Sequence, residues 1–554
     1  MKYKVGSLFA GVGGVCLGFK RASKHFELTF ANEIDKEACK TYKANFNHNL
    51  IEGDIEKILN PETIKKERKF LLERSEKLKK IGVAEIEFDK KVVKDAVKKL
   101  DSPFFVVKAM KGSFELTDSI KKKILKINYS EEQFKNYIEL QLIINNLVDY
   151  TEDKTEMIYQ ELLKKNTEIT KERIDILTGG FPCQAFSIAG ERKGFSDHRG
   201  ELFYSVINLV QQLKEAGHGK PRVLFLENVK NLVSHEKGHT FEIIRKEIEK
   251  LGYIIKYKVL NTYKYTNLPQ NRERIFIVCF LNEADSKAFG SFEDIEKIDK
   301  SREQLKEIMS KILDYSITKE SNLEFYYTKE KYSNYFMTEE EFENSDRKER
   351  INLNEDMTDL YEIYQVRRGM YVRKNQSGVC PTLTANMGTG GHNVPLIKVY
   401  DGIRKLSPED CFNLQGFRIN ENYILPKEIS NASLYKQAGN AVSVDVIELI
   451  AKKIEQAFLK NDNKIKSVEK KSNKALLKNR FRYFKTQKYG FFIKPIKKIN
   501  NSFSIEINKV EESIAITFKK KTEEEINKII NKKKTEEEIK EFIKKLGKEC
   551  IDVL

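Results

Sequence analysis

Val5-Gly-Ser-Leu-Phe-Ala-Gly-Val-Gly-Gly14 decides how the fold is read. Val5 to Phe9 has the short apolar character of a buried strand, and Gly11 to Gly14 reads as a turn, because glycine packs poorly inside helices and strands. Val15 to Ser23 then reads as a helix, Leu28 to Asn32 as a second strand and Lys36 to Asn45 as a second helix. Strand, glycine turn, helix, strand is the opening of a parallel α/β sheet. In such a turn the missing side chains let backbone approach a ligand, and the next helix offers unpaired N–H groups. Glu33, in Ala-Asn-Glu-Ile-Asp, ends the second strand about 20 residues on, where a carboxylate can accept ribose hydroxyls. Asp54, in Glu-Gly-Asp-Ile at the end of a third strand, could accept from an adenine amino group or cap a helix. This order suits an adenosine ligand without a pyrophosphate.

The pattern then breaks. Residues 60–172 are rich in Lys, Glu, Ile and Leu and read as a helical insertion. Strand-and-loop alternation returns at Ile174–Thr178, Val223–Leu226 and Arg274–Phe280, followed by a polar region over 281–365 and a Gly/Thr-rich loop over 369–395. A last helix is expected from Val444 to Phe458. A chain of 554 residues needs two to four structural units. Its hydrophobic content of 40% supports globular cores, and no run of about 18 apolar residues is present to span a membrane. Seven scattered cysteines without CxxC pairs argue for a reducing cytoplasm and against a disulfide framework or a metal site.

Net charge is +17, which invites a polyanion. Most of it lies at the end: residues 459–554 hold 26 Lys and Arg against 14 Asp and Glu. A direct repeat there, Lys-Lys-Lys-Thr-Glu-Glu-Glu-Ile at 519–526 and 532–539, fits a surface helix with charge-paired faces. A Phe/Tyr/Lys stretch, Arg480–Lys498, reads as strands interleaved with basic residues.

Chemistry concentrates in Thr178-Gly-Gly-Phe-Pro-Cys-Gln-Ala-Phe-Ser187. Cys183 follows a strand in a loop stiffened by Pro182 and flanked by small residues. Such a loop packs poorly as core and suits an accessible thiolate. With this segment in place, an ordered series resembles the cytosine-C5 DNA methyltransferases of bacterial restriction–modification systems. It runs Phe9–Gly14, Asn32–Asp35, Gly53-Asp54, Phe181–Ser187, Arg199–Phe203, Glu227-Asn-Val229, Gln270–Phe276, Pro381–Thr384 and Gln437–Val442. Together these cover roughly 1–58, 174–280 and 369–458.

The resemblance implies a Rossmann-like S-adenosylmethionine-dependent methyltransferase fold: an α/β mixed sheet with a smaller target-recognition domain, the helical insertion and a basic C-terminal extension. The catalytic domain would comprise 1–59, 173–280 and 431–458, the insertion 60–172, the recognition domain 281–430 and the extension 459–554. Cys183 would add to C6 of cytosine, Glu227 (in a loop after its strand) would contact the base edge, and Arg272 and Arg274 would share the cytosine O2 and a phosphate. S-adenosylmethionine would meet Phe9, Gly11, Gly13, Glu33, Ile34, Asp54, Leu202 and Asn440. The target base would flip out of double-stranded DNA. Ser187, Arg192, Lys193 and Arg199 would lie in a DNA-closing loop at 185–200, and Arg367, Arg368, Tyr371 and Arg373 would contact groove and phosphates. A monomer, in a bacterium or phage-infected cell and with a separately acting restriction endonuclease, is the implied setting. Two other readings remain at this point, an RNA (tRNA) cytosine-C5 methyltransferase and an inactive DNA-binding regulator.

The 128 positions separating Asp54 from Pro182 depart from the family's short spacing. The basic tail is a second departure. Deleting 460–554 is expected to weaken duplex affinity and flatten its salt dependence while leaving cofactor binding intact; an unchanged salt slope in a binding titration would reject a DNA role for the tail.

Overall fold

The opening strand, β1 (Tyr3–Leu8), lies inside a seven-stranded sheet, third from one edge. The structure, a computed structural model, describes residues 2–81, 131–149, 151–181, 198–367, 371–375, 377–389, 394–478, 491–499, 502–509 and 513–519. The other strands are β2 (Phe26–Glu33), β3 (Asn49–Glu52), β4 (Ile176–Gly180), β5 (Val223–Val229), β6 (Ile254–Asn261) and β7 (Glu273–Phe280). Their order is β3-β2-β1-β4-β5-β7-β6. β1 to β5 pair in parallel, whereas β7 runs antiparallel between β5 and β6. The chain moves outward from β1 to β3, then crosses back to β4. The carboxyl ends of β1 and β4 therefore flank a topological switch point, where open α/β sheets place their ligands.

Alternation along the central strands builds two cores. Leu224, Leu226, Ile275 and Ile277 face one side, and Val223, Phe225, Phe276 and Val278 face the other. The first side is covered by α3 (Ile55–Leu59), α7 (His198–Glu215) and α8 (His239–Lys250). The second is covered by α1 (Gly14–Ala22), through Phe19, and by the Val446–Phe458 part of α11 (Val444–Lys478). α2 (Lys36–Lys43) links β2 to β3, with Asp35 capping it through the N–H groups of Glu37 and Ala38.

The described part of the insertion is helical: α4 (Thr63–Lys80), α5 (Glu131–Asp149) and α6 (Glu152–Thr170). Leu71 and Leu78 of α4 meet Leu140 and Ile143 of α5. Arg74 clamps the buried Glu139 through two hydrogen bonds of 2.6 and 2.9 Å. Such a planar fork-to-carboxylate match fixes helix register as well as position.

A four-stranded antiparallel sheet, order β11-β10-β8-β9, follows. Its strands are β8 (Ile363–Arg367), β9 (Tyr371–Lys374), β10 (Leu396–Val399) and β11 (Gly402–Lys405). Tyr364, Val366, Leu396 and Ile403 turn one face into a small core. At its root the fully buried Arg404 and Asp410 pair at 2.8 Å. Asp410 also accepts from the backbone N–H groups of Asp314 and Ser407, and Arg404 donates to the Asp314 carbonyl, so most of the charge is compensated. Beyond it the chain returns to the first sheet through α9 (Pro408–Leu414) and α10 (Asn431–Asn440). Phe412, Phe417 and Tyr423 pack with Val12, Leu17 and Tyr42, and the Tyr423 hydroxyl donates to the Val12 carbonyl at 2.5 Å.

Residues 459–554 form a second unit, separate from 1–458. It holds an antiparallel sheet of β12 (Phe491–Ile499), β13 (Ser502–Lys509) and β14 (Ser513–Lys519). Register places Ile493, Ile507 and Ile514 in one row and Pro495, Ile505 and Ile516 in the next row of the same face. Lys494, Glu506 and Ala515 fall on the other face.

Several elements differ from the sequence reading. α11 runs to Lys478 instead of ending at Phe458, because the Lys/Glu/Asn run that follows has strong helix formers and no Pro or Gly. β5 continues through Val229, which puts Glu227 on a strand and not in a loop, since Glu227, Asn228 and Val229 pair with Phe276, Ile275 and Arg274 of β7. β6 was not foreseen; its lysines at 256 and 258 mark an edge strand. α7 begins at His198, so the backbone of Arg199 is helical and not part of a loop. Residues 480–490 of the expected tail strands, and the loop residues 185–197, lie outside the described residues.

Asp410→Ala would leave Arg404 charged and buried without its carboxylate. Equilibrium unfolding of the 1–458 unit should show a loss of about 3–5 kcal/mol. The surface Lys374–Asp359 pair makes the control, where Asp359→Ala should cost far less. Equal losses would contradict this account.

Candidate active site

The turn after β1 departs from ordinary backbone at three positions: Phe9 (φ 56°), Gly11 (φ 54°) and Gly13 (φ 85°). The two glycines answer different needs. A Cβ on Gly11 would meet nothing within 4 Å, so that position is open and its backbone approachable. A Cβ on Gly13 would sit 2.3 Å from the Phe46 ring, so Gly13 is required for the turn to pack on its own neighbours.

Glu33 ends β2 and is 9% exposed. One carboxylate oxygen accepts from Gly11 N–H at 2.7 Å, the other from Ile34 and Asp35 N–H at 2.9 and 2.8 Å. A carboxylate offers about four lone-pair sites, so roughly one remains for a ligand hydroxyl. The Gly11 bond locks the glycine turn to the end of β2, and the other two fix the carboxylate's orientation.

A cavity of about 510 Å³ opens at the switch point. Phe9, Gly11 and Glu33 line one side, Glu227, Arg272 and Arg274 another, and Asn440 of α10 a third. The remaining expected cofactor residues, Gly13, Ile34, Asp54 and Leu202, are not among its lining residues. Ile34 is 64% exposed, and Asp54 caps α3 by accepting from Glu56 N–H at 3.0 Å. Leu202 packs against the core on the α7 side.

Glu227 and Arg274 face each other from adjacent strands, with Nε and Oε1 3.2 Å apart. Burial pushes the Glu227 carboxyl above the usual range, against the pull of Arg274 and then Arg272. Arg272 is committed elsewhere. Its guanidinium donates to the carbonyls of Leu383 (2.8 Å), Gly439 (3.1 Å) and Ala441 (2.6 Å). Burial, then the neighbouring Arg274, lower its pKa to about 9, which still leaves it charged at neutral pH. The two arginines thus divide: Arg272 staples distant backbone to β7, and Arg274 stands beside Glu227. Next to Glu227, Asn228 donates from Nδ2 to the Phe181 carbonyl at 2.5 Å and holds the exit of β4.

Cys183, Ser187, Arg192 and Lys193 lie outside the described residues, as does Arg368. Phe181, two positions before Cys183, lines the cavity. On the small sheet, Arg367 pairs with Tyr371 and Gln365 with Arg373, which places all four on one face of the β8–β9 hairpin. Arg367, Tyr371 and Arg373 are exposed. The opposite face carries Tyr364 and Val366 into the core.

Sequence reasoning passed over Asn228, Asp35, Lys436 and Gln437, all of which line the cavity. Asn228, Asp35 and Gln437 stand inside the family-like segments without an assigned role. The Lys436–Asp35 pair, at 2.7 Å across 401 positions, had no sequence signal. Among the described residues no cluster of His, Cys, Asp and Glu could hold a metal ion, and no helix is long and apolar enough to cross a membrane.

The model of the C-5 cytosine-specific DNA methylases matches residues 3–73 and 115–456. The chain belongs to this family. It is a DNA cytosine-5 methyltransferase. It is 36% identical to the Type II methyltransferase M.Bsp6I of Bacillus sp. (strain RFL6), over 82% of this chain and 99% of that protein. Identity to M.HhaI of Haemophilus parahaemolyticus is 32%, over 54% of this chain and 83% of the relative. M.HpaII of Haemophilus parainfluenzae is 33% identical over 53% of this chain and 75% of its own length.

The division between the arginines of this methyltransferase is open to test. Arg272→Met would strand three buried carbonyls and should cost on the order of 3 kcal/mol in denaturant unfolding. Arg274→Met should cost about 1 kcal/mol or less, because Glu227 can take up a proton in its place. The reverse order would overturn the assignment.

Proposed function

We propose that the cavity holds S-adenosylmethionine beside a cytosine flipped out of duplex DNA, and that Cys183 carries the reaction as a covalent nucleophile. The observation that carries this reading is the meeting of the open glycine turn, the Glu33 carboxylate and the Glu227–Arg274 pair in one cavity at the switch point.

The residues fit an adenosine cofactor. Gly11 leaves its backbone exposed, Glu33 keeps roughly one lone-pair site for a ribose hydroxyl, and a volume of about 510 Å³ suits a ligand of that size. When bound, the cofactor supplies an electrophilic methyl group on sulfonium sulfur. Phe9, Gly11, Glu33 and Asn440 would hold it.

Cytosine C5 is a weak nucleophile until a thiolate adds to C6, which shifts electron density to C5. Cys183 fits this step: two residues of chain reach at most about 7 Å from Phe181, a cavity-lining residue. As the thiolate bonds to C6, negative charge builds at N3 and O2. Glu227, whose carboxyl burial pushes above the usual range, is suited in its acid form to donate a hydrogen bond to N3, and Arg274 beside it is suited to meet O2. Methylation at C5 leaves a proton there; its loss and expulsion of the Cys183 thiolate restore the aromatic base. Arg272 acts through the backbone it staples.

Duplex DNA would lie against the β8–β9 hairpin, whose exposed Arg367, Tyr371 and Arg373 can meet phosphates and base edges. With Type II methyltransferases as relatives, protection of host DNA against a cognate endonuclease is the role this reading favours.

Two outcomes test it. Cys183→Ser should abolish methyl transfer to duplex DNA measured with labelled cofactor; transfer at the wild-type rate would sink the covalent route. Glu227→Gln should lower turnover about 10²- to 10⁴-fold. Because the folded carboxyl titrates above its ordinary value, the Glu227-dependent rate is present at low pH and falls as pH rises through that raised pKa. The Gln variant, which does not titrate, should lose this limb of the pH–rate profile; a limb that persists unchanged would remove Glu227 from the role.

A further inference from the structure

Two charged side chains meet at the mouth of the cavity. Asp35 follows β2 and Lys436 stands on α10; both line the cavity, and their side chains keep 33% and 53% of their surface open to water. Glu33 and Gln437, on the same walls, are covered. A cavity wall that is also open to solvent is a rim, and Asn440, exposed and one helical turn after Lys436, extends it. Across this rim the Lys436 ammonium donates to Asp35 Oδ2 at 2.7 Å, joining residues 401 positions apart. Asp35 is the fixed end. Its Oδ1 accepts from Glu37 and Ala38 N–H, and its own N–H donates to the Glu33 carboxylate. Burial works against the Asp35 anion, but Lys436 and the α2 N–H groups outweigh it and hold the carboxyl below its ordinary range. Lys436 is the movable end, because its ammonium has no other hydrogen-bond partner among the described residues and swings on a flexible four-carbon stem. The helices themselves are tied beneath it by the Thr41–Gln437 bond at 2.9 Å, so the rim opens when one side chain moves. An exposed ion pair carries a factor of about five at most in an equilibrium, enough to favour closure and weak enough to break readily.

We propose that the Lys436–Asp35 pair is a latch over the cavity, which opens each time S-adenosylmethionine enters or S-adenosylhomocysteine leaves. This rests on the reading of the cavity as the S-adenosylmethionine site. The latch closes on the protein's own groups and not on the ligand, so it slows entry and exit alike and leaves affinity unchanged. Every methyl transfer leaves a spent cofactor behind, and its release through this mouth is part of each turnover.

The test is surface plasmon resonance with the full chain immobilised, without DNA, and S-adenosylhomocysteine as the ligand, read as separate association and dissociation rates. Lys436→Met should raise both rates about two- to five-fold and leave Kd unchanged. Asp35→Asn, which keeps the oxygen that caps α2 and loses the charge, should do the same and guards against a folding failure of the first variant. The double variant should match the singles, since either change alone already opens the latch, and Lys436→Arg should stay near wild type. Added salt should speed exchange in the wild type more than in the variants, because it screens a pair that they lack. Unchanged rates in both single variants overturn the proposal. So does faster dissociation with a matching loss of affinity, which would make Lys436 a ligand contact, and so do additive effects in the double variant. A wild-type chain that binds no S-adenosylhomocysteine would overturn the cofactor reading itself, a result distinct from the others.

Discussion

Three backbone carbonyls converge on one buried guanidinium, and the active site depends on that convergence. Arg272 sits just before β7, Leu383 lies 111 positions further on, and Gly439 and Ala441 come from the end of α10. This staple ties the segment carrying Gln437 and Asn440 to the strand carrying Arg274. The neighbouring contacts pull the same way. Arg21 of α1 donates to the carbonyls of Gly416 and Phe417, and the Tyr423 hydroxyl donates to Val12 in the glycine turn. The returning chain therefore forms one wall of the cavity whose opposite walls come from β1, β2 and β5. Charged donors on neutral carbonyls suit this task, because they hold backbone firmly without adding a carboxylate to a site already holding Glu33 and Glu227.

Glu227 shows how the sheet sets chemistry. Placement on β5 sets Glu227 opposite Gly180 of β4 and beside Arg274 of β7. Burial and Arg274 then oppose each other: one favours the neutral acid and the other the anion, and burial prevails. An acid poised in this way can donate to a base and release the proton without large rearrangement. Asn228, next in the chain, faces the other neighbour and fixes the Phe181 carbonyl just ahead of the Pro-Cys-Gln segment. Two adjacent residues of β5 thereby place the Glu227 carboxyl in the cavity and hold the end of β4.

The parts of this arrangement legible in the sequence were those written in local chemistry. Glycines at 11, 13 and 14 announced the turn, Glu33 the end of the second strand, and Lys/Glu-rich composition the helices of the insertion. Long-range pairing was not legible. The extension of β5 through Val229 depends on an antiparallel partner, β7, whose pairing no local pattern encodes. The adjacent arginines 272 and 274 look alike in sequence, yet one is spent on three carbonyls and the other faces Glu227. Gly13 stands in the same turn as Gly11 but serves packing against Phe46. Asp54, read as a ligand for adenine or as a cap, does cap α3, a role its residue type predicts at least as well. The Lys436–Asp35 pair needed three-dimensional facts, since its two residues stand 401 positions apart.

The central claim is that this cavity supports covalent addition of Cys183 to a cytosine ring. Fluorine at C5 of the target base cannot leave as a proton does, so the enzyme should stall after methylation with Cys183 still bonded to C6. Incubating the chain with S-adenosylmethionine and a duplex containing 5-fluorocytosine, followed by denaturing electrophoresis and mass measurement, reads this directly. The account predicts a denaturation-resistant protein–DNA complex for the wild type and none for Cys183→Ser. Methyl transfer to the unfluorinated duplex with no trapped complex, or an equal complex with Cys183→Ser, would contradict it.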